Sequence, residues 1–332
     1  MDRIIEKRDF VYIFTIFLIV QFGGLLAALI IIYPPVENIT ALQAQQQESG
    51  INPFVFVIEI LIATAILLLI FRFYNGDLIY RIIEGLAIFF PIFYLFLLIL
   101  SRVTNNLFSL ITVSSIITIY LIYLKNKKPN LRNFMVILAS IGIGVLLGMV
   151  ITIEIAYIFL LLIAIYDYLS VFVTKHMVAL AKQVTQRNLS FFVSSSSIML
   201  MRKKKQKKIN IPKELKKYIK DSMPYVSQVA LGAGDLALPL LFSLTIFYNT
   251  LNYTFTFTSI IGSLVGIIFT FYLLNKYKKP LPAIPPLFAM INIALSIFFI
   301  TSNPSLSILL FIMGILFLVL LIATLKRNAF SR

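Results

Sequence analysis

Apolar runs of about twenty residues alternate with short polar segments along nearly the whole chain. Ten can be read: about 11–32, 53–74, 80–100, 106–124, 133–150, 153–174, 225–248, 254–274, 283–301 and 305–325. Each approaches the roughly 20 residues that an α-helix needs to cross the hydrocarbon of a bilayer. Several runs are rich in β-branched residues and pass for buried strands by periodicity, but their lengths favour helices. The boundary between the fifth and sixth runs is the least defined, because no turn dipeptide separates Met149 from Glu154. The pattern predicts an all-α polytopic membrane protein.

Composition agrees. Of 332 residues, 60% are hydrophobic and 13% charged, and the mean hydropathy is +0.97. A soluble domain of this size would carry a largely apolar surface. The first apolar run is long enough to remain as a span, and no cleavable leader stands out before it. Cysteine is absent and there is one histidine. Disulfides, thiolate nucleophiles and thiolate-bound metals are thereby excluded.

The net charge of +16 raises the prospect of a nucleic-acid partner, and the placement of the charge removes it. With the N-terminus in the cytoplasm, ten spans put every basic residue except Arg102 in cytoplasmic segments. This obeys the positive-inside rule and predicts both termini in the cytoplasm of a multi-pass protein, with the plasma membrane as the expected location. Attraction to anionic lipid headgroups follows as well. Two connections are long. Residues 33–52 form an outside loop rich in Gln and free of basic residues. Residues 175–222 form a basic inside loop that includes the cluster at 202–208 and two short apolar pieces, 191–193 and 198–201, which are interfacial or strand-forming. The chain therefore divides into a six-span part (1–174), the basic loop (175–222), a three-span part (223–301), and a last span with a basic tail (302–332). No internal repeat is visible, which weakens an inverted-repeat transporter reading. Asn38-Ile39-Thr40 and Asn252-Tyr253-Thr254 match the glycosylation sequon but arise easily by chance.

The chemistry-bearing residues are acids inside spans. Leu231 to Pro239 reads Leu-Gly-Ala-Gly-Asp-Leu-Ala-Leu-Pro. A carboxylate at the centre of a membrane helix costs roughly 2.5 to 3.5 kcal/mol on insertion scales. Gly232 and Gly234 leave room for a neighbouring helix to approach closely. Pro239 cannot donate to the carbonyl four residues back, which is that of Asp235 itself. Asp167 lies about eight residues, or roughly 12 Å of helix rise, before Lys175. The loop joining the two spans is the inside one, so Asp167 and Asp235 are expected at similar depth on helices of opposite direction. Glu84 and Glu154 lie near span ends and are expected at the interface, whereas Glu59 is a rival intramembrane acid. Two carboxyls close together in low dielectric share a proton and titrate as a unit. One can then deprotonate water while the other polarises a peptide carbonyl. A lone membrane Asp points first to ion coupling or structural hydrogen bonding; the pair reverses that order. His176 and the tyrosines flanking Asp167, Tyr166 and Tyr168, are not needed for this chemistry, although one tyrosine is within hydrogen-bonding reach of a neighbouring carboxyl in some packings.

Three separated motifs carry a resemblance to the presenilin and signal-peptide-peptidase family of intramembrane aspartyl proteases. They are Tyr166-Asp167, Gly232-Ala233-Gly234-Asp235, and Lys278 to Pro285, within which Pro282-Ala283-Ile284-Pro285 is similar to the family's Pro-Ala-Leu-Pro. Ser170-Val171-Phe172, Thr174 to Met177 and Pro239 resemble the archaeal presenilin homologues. The resemblance implies a presenilin-like bundle of nine transmembrane helices, to which this chain adds a tenth at 305–325. It implies Asp167 and Asp235 as the catalytic pair, with Pro282, Ala283, Ile284 and Pro285, and Gly232 and Gly234, on the substrate side. It also implies a substrate that is a transmembrane protein or remnant signal peptide, and action without metal, organic cofactor or partner subunit. Ile284 departs from the family's Leu. Unwound substrate backbone in the bilayer needs new hydrogen-bond partners. Added strand pairing near 280–286 would provide them, with the pieces near 191–201 joining that sheet. The alternative is a cation- or proton-coupled transporter or channel using the same acids.

Overall fold

The computed structural model describes residues 7–32, 77–104, 106–127, 131–173, 192–194, 230–277 and 281–330, together with Val55, Ile58 and Ile62. The second predicted span apart from those three residues, the loop at 33–52, Glu59, His176, most of the basic loop and Lys278 to Pro280 lie outside the described residues.

The described residues form helices α1 (Lys7–Ile32), α2 (Asp77–Leu100), α3 (Leu107–Lys127), α4 (Leu131–Val150), α5 (Ile153–Phe172), α6 (Ala233–Thr250), α7 (Tyr253–Tyr277), α8 (Ile284–Phe299) and α9 (Pro304–Phe330). Strands β1 (Phe192–Ser194) and β2 (Ala230–Gly232) pair antiparallel, with Val193 opposite Leu231. Seven helices, α1 to α5, α7 and α9, are long and apolar enough to cross a membrane, while α8 is shorter at 16 residues.

The bundle is organised around α6. Leu236, Leu240, Leu241, Phe242, Leu244, Ile246 and Phe247 are all buried, so this helix is enclosed on every side, as its apolar circumference requires. It packs against α1, α4, α5 and α7, while α8 joins α5, α7 and α9. Lipid takes the place of protein on the outer helices. Ile116, Ile119 and Tyr120 of α3 are 66%, 59% and 58% exposed, an apolar surface that only a bilayer accommodates at this extent.

Apolar burial between helices has no solvent drive in lipid, so close contact carries the packing. Glycine makes the contact possible. A Cβ at Gly142 of α4 would collide with the backbone carbonyl oxygen of Pro91 in α2. At Gly148 it would lie 2.9 Å from Leu244 Cβ, and at Gly266 2.7 Å from Leu287 Cα.

One expectation changes, and one acid gains a partner. The run at 225–248 is not helical throughout, because its residues 230–232 are extended and paired with β1; the helix begins at Ala233. Ala230 and Leu231 are good helix formers, so propensity alone does not end the helix there; the pairing with β1 gives their backbone groups other partners, and Gly232 marks the boundary. Glu84, expected near a span end, is paired with a base from the next helix. Helix α2 starts at Asp77, which places Glu84 two turns in, where its Oε1 accepts a 2.6 Å hydrogen bond from Lys125 Nζ of α3, and both side chains are buried. Glu154 lies in the first turn of α5 and is exposed, as expected.

Overpacking a tight helix contact costs typically about 1–3 kcal/mol. Gly142→Ala and Gly266→Ala should each lower the melting temperature of the detergent-purified protein. Gly85→Ala, where a Cβ meets nothing within 4 Å, should not. Equal melting of all three would show that the close contacts do not hold the bundle.

Candidate active site

The three motifs meet at the start of α8. A helix N-terminus leaves its first backbone N–H groups without intrahelical partners. Here Ala283 is the N-cap and Ile284, Pro285 and Pro286 follow. The two prolines have no N–H to leave unsatisfied, and they suit a first helical turn. Ala283 and Ile284 are the donors that remain. The Ile284 N–H donates to Asp167 Oδ2 at 3.1 Å. The helix macrodipole adds partial positive charge at the same place. Asp167 is 8% exposed, and it sits five residues from the end of α5. Ser170 Oγ donates to its carbonyl oxygen at 2.9 Å, one turn on.

Asp235 arrives by different geometry. It is the third residue of α6, and its Oδ2 accepts the backbone N–H of Gly232 at 3.1 Å. This is the reach-back half of a capping box, built by an acid that closes the turn after β2. The expected mid-span position is therefore corrected to a first turn, for the reason that shortens the helix. Pro239, inside α6, leaves the Asp235 carbonyl without its usual intrahelical donor, as predicted. Helices α5 and α6, which carry the two acids, pack against each other, and Asp167 is near enough for its charge to act on Asp235.

Gly234 does not serve the close helix approach expected of it. It is exposed, and a Cβ there would meet no atom within 4 Å. Among the described residues, the tight glycine contacts lie on α1, α4, α7 and α9 instead. Pro282 and Pro285 are buried beside Ile284, which is 2% exposed. Tyr166 is 36% exposed, and Tyr168 packs its ring 5.1 Å from that of Phe172.

Other polar groups hold these elements in place, and the sequence reading passed over them. Ser140 Oγ of α4 donates to the Ala233 carbonyl at 3.2 Å, at the start of α6. Tyr157 OH of α5 donates to Asn292 Oδ1 of α8 at 2.8 Å, and Asn292 Nδ2 donates to the Phe288 carbonyl. A lone Asn within an apolar run was the available signal, since an unpartnered amide in lipid is costly.

The family model described as signal-peptide peptidase, presenilin aspartyl protease matches residues 14–303. Two solved structures of a presenilin family intramembrane aspartate protease resemble the chain. The one in space group C222 has a TM-score of 0.54 at 19% identity, covering 88% of this chain and 96% of its own. The one in space group P2 has a TM-score of 0.51 at 20% identity, covering 91% and 95%. At such identity the likeness is one of fold. No curated protein matches the chain.

Interhelical hydrogen bonds in membranes average about 0.6 kcal/mol in double-mutant cycles. Tyr157→Phe, which leaves Asn292 Oδ1 buried without its donor, should lower the melting temperature modestly. Combined with Asn292→Leu, the second change should cost less than it does alone. Strict additivity would mean that the bond does not tie α5 to α8.

Proposed function

Because the chain belongs to the signal-peptide peptidase and presenilin aspartyl protease family, we propose that it hydrolyses peptide bonds of transmembrane helices or remnant signal peptides, with Asp167 and Asp235 as the paired catalytic acids. One observation carries the reading. The carboxyl of Asp167 is held by the amide of Ile284 while Asp235 lies within reach of its charge, so all three motifs converge on one place. A structural role for either acid would not require that convergence.

The chemistry follows from one shared proton. A water between the acids gives a proton to the charged carboxylate as its oxygen forms a bond to the scissile carbonyl carbon. The protonated carboxyl donates to the carbonyl oxygen, giving a neutral tetrahedral diol. Collapse returns the carbonyl, breaks the C–N bond and passes a proton to the leaving nitrogen. Both acids are then ready for a second cycle, and the chain's own residues complete the balance with neither metal nor organic cofactor.

Substrate backbone has to leave its helix before water can attack, and the freed groups then need partners. Strand β2 runs directly into Gly232 and Asp235, with β1 along one edge. An extended substrate segment added to this small sheet would lie beside the acids. Gly234 carries no side chain to obstruct it, and Pro282, Ala283, Ile284 and Pro285 are the residues expected to receive it. The basic residues support a multi-pass arrangement with cytoplasmic termini, which puts the acids toward the cytoplasmic face. The transporter alternative rests on the acids alone and has no further observation behind it.

Purified protein in lipid should cut a single-span membrane peptide, and Asp167→Asn and Asp235→Asn should each abolish the cutting. Full proteolysis by either variant overturns the assignment, and ion flux into sealed liposomes without cleavage would favour the transporter. The cleavage rate should also follow a bell-shaped pH profile, because each end of the range removes the singly protonated pair. A flat profile from acid to neutral pH would rule out the shared proton.

A further inference from the structure

Tyr157 stands ten residues before Asp167 on α5, well away from the acids, yet it reaches every helix that builds the site. Its own helix carries Asp167. Its ring lies 6.3 Å from that of Phe242 in α6, the helix of Asp235, and 5.6 Å from that of Phe288 in α8. Its hydroxyl donates to Asn292 Oδ1 of α8 at 2.8 Å. Phe242, Phe288 and Asn292 are at most 1% exposed. An amide in such a place needs partners, and Asn292 has two, that hydroxyl and the Phe288 carbonyl.

Spacing connects this junction with the acid. Ile284, Phe288 and Asn292 follow one another at intervals of four and share one face of α8. Tyr157, Leu160, Ala164 and Asp167 share one face of α5, where Leu160 and Ala164 are buried. Two hydrogen bonds join these faces. One is from the Ile284 amide to Asp167 and the other is from Tyr157 to Asn292, roughly 12–15 Å of helix rise away. The residues between them, Leu160, Ala164 and Phe288, have apolar side chains. In lipid such contacts have no solvent drive and do little to choose between neighbouring registers of two helices. A bond to a buried amide does choose, because a slipped register leaves it unmade.

We propose that Tyr157 and Asn292 are positioning residues for the reaction: their bond fixes the register of α5 against α8, and so holds the Ile284 amide on the Asp167 carboxyl. The inference rests on the proteolytic reading for its kinetic consequence alone. An amide donor favours the charged form of a carboxyl. A loosened register weakens that support, so the pair takes up its second proton at higher pH and the acid limb of the rate profile moves up. One interhelical bond in a membrane is worth on average about threefold in an equilibrium, which sets the movement at about half a pH unit.

Tyr157→Phe keeps the ring and removes only the hydroxyl. With the full chain in lipid, cleavage of a single-span membrane peptide on the acid side of the optimum should fall about threefold at fixed pH, with little change at the optimum. Asn292→Leu added to Tyr157→Phe should move the limb no further, because the same bond is already gone. Gly142→Ala, which crowds the α2–α4 contact, should leave the limb in place, since loss of folded protein lowers the rate without moving it. A second readout needs no cutting. The chain has no cysteine, so Leu169→Cys with Ile297→Cys, at exposed positions of α5 and α8, places one nitroxide label on each helix. Pulsed electron spin resonance should give one narrow distance distribution in the parent and a broadened or shifted one with Tyr157→Phe. An acid limb that stays put in Tyr157→Phe, one that Gly142→Ala moves equally, or an unchanged distance distribution overturns the inference. If the distances change and yet no form of the protein cuts the peptide, the register tie stands and the proteolytic reading falls.

Discussion

A carboxyl group buried in a helical bundle must be met by donors, and here the donors come from a helix start with two of its amides removed. Pro285 and Pro286 lack N–H groups, which leaves the Ile284 amide to meet Asp167 at the start of α8. The rest of the arrangement depends on this contact. It sets the position of α8 against α5, and through the Tyr157–Asn292 bond the same two helices are tied again further along. A carboxylate serves this purpose because it accepts more than one hydrogen bond and sits at the favourable end of the helix dipole.

The second acid is held by a device of a different kind. Asp235 closes its own helix start by accepting the Gly232 amide, and the residues before it are in a strand rather than in the helix. Each acid therefore occupies a helix terminus, one at its own and one at another's. Helix termini are where backbone donors are free, so a membrane protein that needs polar chemistry finds ready partners there. The glycines on α4 and α7 keep α6 and α8 close enough to their neighbours for these end-on contacts to persist.

Much of this was legible in the chain, and the failures share a cause. Apolar run length placed the described helices to within a few residues at most ends, because crossing hydrocarbon is a length requirement that any sufficiently apolar segment states directly. The run before Asp235 misled because apolar content does not separate a strand from the first turn of a helix. The partner of Glu84 was not legible because proximity to a span end says nothing about which neighbour faces it, and Lys125 lies 41 residues away. Gly234 misled because a missing side chain is compatible both with a close neighbour and with open space.

What the sequence alone determined was the membrane class, the approximate bounds of the described helices, and the motif that contains Ile284, with the pairing of Asp167 and Asp235 as a hypothesis. These depend on composition and local order, which are properties of short stretches. Only the tertiary structure decided that the Ile284 amide meets Asp167, that β2 shortens the helix of Asp235, and that Tyr157 stands where α5, α6 and α8 meet. Those facts depend on which surfaces come together across 38 residues of chain between Val193 and Leu231 in the strand pair and 117 in the Asp167–Ile284 contact. In lipid that choice rests on close packing and a few interhelical hydrogen bonds, and hydrophobic pattern carries no record of either.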